Sequence, residues 1–66
     1  MNAKRFAELY LETETQIEAF AHQGHDARGL KELKNDYYRW MLQELHTDDA
    51  TWPNGRELAL YILRGV

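Results

Sequence analysis

In the stretch HQGHD, His22, His25 and Asp26 are the residues whose types and spacing come nearest to a metal site. Two imidazoles at i, i+3 can reach one ion from a single helical turn, and a neighbouring carboxylate can add a third ligand. A closed site needs a fourth. The remaining ligand types, His46, Asp48 and Asp49, stand far along the chain, and Gly24 between the two histidines ends the helix that would align them. The pattern is that of solvated histidines flanking helix ends, so no metal and no other cofactor is expected.

Covalent chemistry has little to work with. The chain contains no serine and no cysteine, which leaves Thr13, Thr15, Thr47 and Thr51 as hydroxyl nucleophiles, none beside a base and an orienting group. No glycine-rich stretch could cradle a phosphate. The expectation is a protein that is not an enzyme.

Charge offers two further possibilities. Glu8 and Glu12 are four apart, as are Glu14 and Glu18, with Leu11 protruding among them. Like charges at that spacing repel by a few tenths of a kcal/mol. The row reads as a solvated face of the first helix, or as an acidic decoy that imitates phosphates and occupies a nucleic-acid-binding protein. Direct DNA binding is a weaker alternative. Eight basic against eleven acidic residues give a formal net charge of −3, and Asn54, Arg56 and Arg64 are too few to serve as both phosphate anchors and base readers. The connection before the last helix also exceeds a helix-turn-helix turn.

Three helices must position these groups. The first, Ala3 to Gln23, places Phe6, Leu9, Tyr10, Thr13, Ile17, Phe20 and Ala21 on one stripe, with Asn2 as N-cap and Gly24 as terminator. The second starts between Asp26 and Gly29 and runs to His46. Its inner face is Leu30, Leu33, Tyr37, Trp40, Met41 and Leu45, while Tyr38 and Leu42 widen the apolar arc beyond what one neighbour covers. Glu44 falls inside that apolar face, where it either reaches solvent past the helix end or meets an arginine or lysine from the third helix or from a partner, with Arg56 and Arg64 as the candidates. A polar link, TDDATWP, leads to NGRE, where Asn54 caps the Glu57 amide and Glu57 can reach back. The third helix then starts at Gly55. Leu58, Ala59, Ile62 and Leu63 face inward, and Leu60 and Tyr61 project off that face.

The first two helices are each about 30 Å long at 1.5 Å per residue, and the short break between them implies an antiparallel hairpin. The fold class is therefore all-α, a hairpin plus a short third helix forming a three-helix bundle, with residues 1–66 as one helical domain. A chain of this size buries only about 60% of its unfolded surface and has no cysteine to staple it. No stretch has the length of a membrane span or the pattern of a secretory leader, so a cytoplasmic location without membrane attachment is expected. The apolar tail RELALYILRGV, Arg56 to Val66, and the wide second helix carry more apolar surface than three short helices hide. The expected function is that of a small protein-binding regulator or adaptor that forms a homodimer. Its contacts with another protein would be Tyr38, Leu42, Trp52, Leu60 and Tyr61, rimmed by Arg39 and Arg64.

Overall fold

A computed structural model describes residues 2–65; the last residue of the apolar tail, Val66, lies outside them. The described residues form α1 (Ala3–His22), α2 (Arg28–Leu45), a single 3-10 turn (Asp49–Thr51) and α3 (Gly55–Leu63), with no strand among them. The all-α hairpin with a short third helix is thus the architecture.

The helix ends follow from local chemistry. At the end of α1, the Gly24 amide donates to the Ala21 carbonyl at 3.1 Å and the His25 amide to the Phe20 carbonyl at 2.9 Å. Gly24 sits at φ 75°, where only a residue without Cβ is unstrained. This is the Schellman arrangement, and its usual apolar clasp is the edge of His25 on Phe20, with ring centroids 5.7 Å apart. The same pattern closes α2: His46 donates to the Gln43 carbonyl and Thr47 to the Leu42 carbonyl. There the left-handed position is held by His46, at φ 53°, with a side chain that disfavours it.

The N-termini only partly match expectation. Asn54 accepts the Glu57 amide at 2.9 Å, as the NGRE pattern implies, but Glu57 returns no bond among the described residues. Asn2 makes no side-chain cap; only its backbone carbonyl joins α1, accepting the Phe6 amide. Asp26 lies one residue ahead of the α2 cap, accepting the Arg28 amide at 3.0 Å and the Arg28 guanidinium at 2.9 Å. The side-chain and backbone hydrogen bonds from Arg28 hold its carboxyl below the ordinary carboxylate value.

Packing places α3 differently from a lid over the hairpin groove. It lies chiefly along α1 and touches α2 little. Small residues suit this contact: Ala3 and Ala7 on α1 and Gly55 and Ala59 on α3 are all buried, and Gly55 leaves room for the Tyr10 ring. The core consists of those alanines with Tyr10, Met41, Leu58 and Ile62, and only Met41 and Leu58 are large and fully enclosed. Buried Thr13 satisfies its hydroxyl by donating to the Leu9 carbonyl at 2.7 Å. The expected α2 face is turned by about 40° on a wheel of 100° per residue. Met41 is its centre, Tyr38 and Leu42 are half-buried against the core, and Leu33 and Trp40 are exposed. On α1, Phe20 and Ala21 are likewise exposed rather than inward.

Two substitutions test these local accounts. A Cβ on Gly55 would meet the Tyr10 phenol, 2.6 Å from Cζ, so Gly55→Ala is expected to lower the melting temperature although alanine is the better helix former. His46→Gly is expected to raise stability by about 1 kcal/mol by relieving the left-handed strain. Thermal and urea unfolding followed by circular dichroism read both.

Candidate functional site

On the side of the hairpin turned away from α3, α1 and α2 leave an open apolar seam. Phe6 of α1 lies 5.5 Å from Trp40 and 6.4 Å from Tyr37 of α2, centroid to centroid, and Tyr37 stands edge-on to Trp40 at 5.7 Å. By helical spacing Leu33 shares the Trp40 stripe of α2, about two turns nearer the hairpin turn, and Phe20 the Phe6 stripe of α1, about four turns on. Phe20, Leu33 and Trp40 remain 38%, 37% and 38% exposed. Among the described residues these are three of the four exposed large hydrophobics, the fourth being Tyr61. The reason is the one that placed α3: the short helix lies chiefly along α1, and among the described residues no further element lies over the Phe6–Trp40 side.

At the Trp40 end, Phe6, Trp40, Gln43, Glu44 and His46 line a shallow notch. Glu44 is half-buried one helical turn beyond Trp40 and has no ion-pair partner among the described residues. Of the expected partners, Arg56 on α3 and Arg64 just past its end are both exposed, and neither pairs with Glu44 among the described residues.

The residues proposed from sequence as protein contacts divide among several places. Tyr38 and Leu42 do not project freely; both pack against the core, and the 3-10 turn folds toward them. Burial, then the nearby carboxylates of Asp49 and Asp48, push the Tyr38 phenol above its ordinary pKa. Trp52, placed by sequence in a polar link, instead tucks in against the core and meets Tyr61 with centroids 5.0 Å apart. Its Nε1 is buried with no hydrogen-bond partner. Leu45, Thr47, Trp52 and Tyr61 together line a small edge pocket in which Tyr61 is 43% exposed. Arg39 is bound to Asp36 on its own helix, and Arg64 is exposed at the end of α3.

Leu60 is half-buried rather than projecting. It lines a third depression, about 330 Å³ in volume, with Leu11, Glu14, Thr15, Ile17, Glu18, Lys34 and Arg56. Leu11 packs against the core and does not stand out among carboxylates. The glutamates consequently do not form one row: Glu8 and Glu12 are exposed elsewhere, while Glu14 and Glu18 face a groove shared with Lys34 and Arg56. The Lys34 ammonium in turn lies over the Tyr10 ring, 5.6 Å from its centroid.

His22, His25 and Asp26 do not converge on a point where an ion could sit. His25 is edge-on to Phe20 and Asp26 is taken by Arg28. Among the described residues no cluster of three or more metal-ligating side chains occurs, and no helix is long and apolar enough to cross a membrane. Comparison with known proteins returns no match: no family model, curated protein or solved structure is significantly similar to this chain.

Sequence periodicity assigned Phe6, Phe20, Leu33, Tyr37 and Trp40 to the core, so the seam was missed as a surface. One signal pointed to it. Glu44 shares the Tyr37 and Trp40 side of α2, and a lone carboxylate marks a face that keeps contact with water.

The phenols give this packing a pH signature. Burial and the Glu14 charge also push Tyr10 above the ordinary 10.0. Both phenols ionise more readily in the unfolded chain, so their contribution is intact below pH 10 and is lost as pH rises through the raised native values. Helicity monitored between pH 9 and about 12 is expected to fall, and Tyr10→Phe should move the onset to higher pH.

Proposed function

We propose that this chain is a small protein-binding element without chemistry of its own, which pairs face to face with a second copy through the Phe6–Trp40 seam. The Trp52–Tyr61 edge then remains free for a further protein, with Arg64 at its rim. What carries the proposal is the seam itself: Phe20, Leu33 and Trp40 are all more than one-third exposed on one face of a chain whose core encloses only two large side chains.

Size supports an incomplete enclosure. The accessible surface is 4727 Å², where a compact monomer of 7.8 kDa exposes about 4400 Å². The radius of gyration is 12.1 Å against about 11 Å for a compact domain of this length. The molecule measures 36 × 20 × 20 Å, so its long side runs the length of the hairpin. A self-complementary face needs no second gene product, and two hairpins laid together give the four-helix packing that such surfaces favour.

The acidic-decoy alternative draws less support, because the four glutamates are divided between two surfaces and two of them share a groove with Lys34 and Arg56. Direct DNA binding lacks a cationic face.

Sedimentation equilibrium tests the proposal. The wild type is expected to be dimeric at tens of micromolar, and Phe20→Asp or Leu33→Asp to be monomeric with unchanged helix content by circular dichroism. Tyr61→Asp, on the other edge, should leave the dimer intact. A wild type that stays monomeric at several hundred micromolar would overturn the dimer.

A further inference from the structure

The notch at the Trp40 end of the seam combines two features that together specify an occupant. Its walls are aromatic, with Phe6 and Trp40 centroids 5.5 Å apart and their planes tilted by 43°. Its rim carries the half-buried carboxylate of Glu44, which no basic group reaches among the described residues. Aromatic faces attract a cation through their quadrupole, and a carboxylate beside them adds charge and hydrogen-bond acceptors. A planar guanidinium fits both demands, stacking on the indole while its edge forks onto the carboxylate.

We infer that the notch receives the Arg5 side chain of a second copy, so that the dimer is held in register by two equivalent Arg5–Glu44 pairs. This deepens the face-to-face dimer proposed above and rests on it. Arg5 immediately precedes Phe6, is exposed, and has no ion-pair partner among the described residues. One residue is 100° of helix, so Arg5 stands at the outer rim of the seam, at the same end of the hairpin as the notch.

Two face-to-face arrangements are open to hairpins of this shape, and charge chooses between them. With the two-fold axis in the plane of the face and across the hairpin, each notch meets the hairpin-turn end of the other copy. The one arginine there, Arg28, is already held by Asp26. With the axis along the hairpin, α1 runs antiparallel to the partner's α2, and the first turn of α1 lies level with the last turn of that helix. Arg5 then faces the partner's Glu44, and the aromatic ends of the two seams pack on each other. The second arrangement satisfies a carboxylate and a guanidinium that the single chain leaves without partners, and it does so twice.

Charge reversal tests the register. Dimer dissociation constants are measured by sedimentation equilibrium or fluorescence anisotropy for Arg5→Glu, Glu44→Arg, Glu44→Gln and the combined Arg5→Glu/Glu44→Arg chain, with circular dichroism on each. Each single reversal is expected to weaken the dimer at least tenfold, Glu44→Gln about fivefold, and the combined chain to return within threefold of wild type. A dimer unchanged within twofold by the single reversals would overturn the pair and leave the seam standing. Single reversals that weaken while the combined chain does not recover would also overturn it. A monomeric wild type removes both the pair and the dimer.

Discussion

The close approach of α3 to α1 is the constraint from which the rest of this molecule follows. It is made by absence of side chain: Ala3 and Ala7 on one helix, Gly55 and Ala59 on the other, with the Tyr10 phenol filling the space a Cβ on Gly55 would take. Helices with small residues at their contact can approach more closely than the usual 8–10 Å between axes, and each contact is then backbone-rich and strict about position. Once α3 is drawn to that flank, Leu58 and Ile62 reach inward and enclose Met41. The price is the opposite flank, where a nine-residue helix has nothing left to give.

The helix count, the hairpin, the Gly24 stop and the Asn54 start were legible because each rests on local chemistry. Periodicity, breakers and a side chain that can accept an amide act within a few residues. What the sequence did not disclose is which way each helix turns. Weighing residues by size put Phe6, Phe20, Leu33 and Trp40 on the inner stripes and left out Ala3 and Ala7, yet those two alanines are buried and Phe20, Leu33 and Trp40 are exposed. A two-helix contact built on small residues gives no peak of hydrophobicity. Only the tertiary partner reveals it.

The TDDATWP link shows the same limit in another form. Read as polar, it is in fact ordered: Thr51 Oγ1 donates to Asp48 Oδ1 at 3.1 Å, the turn carries Asp48 and Asp49 close enough to perturb Tyr38, and Trp52 packs on the core. Tyr38 and Leu42, the residues that looked most available on the second helix, are likewise half-buried against that core. The stretch has no periodicity to betray that role, because a single indole anchors it rather than a repeating face. Among the described residues its buried Nε1 meets no acceptor.

These two displacements, of α3 and of the link, have one consequence for function. Both pieces of chain that could have closed the hairpin go to the same side, and the side they leave is the one with the aromatic cluster and the uncompensated Glu44. A carboxylate in a sealed aromatic core would be costly. At the edge of a surface that meets another protein, it can discriminate, since it favours a partner that brings a cation to that point and penalises one that does not. The seam's apolar residues can supply attraction without regard to orientation, and they would accept several ways of laying one hairpin on another. In the proposed dimer a single charged group at one end would distinguish among them, a physical role for Glu44 at a position where the hydrophobic pattern alone would place a leucine.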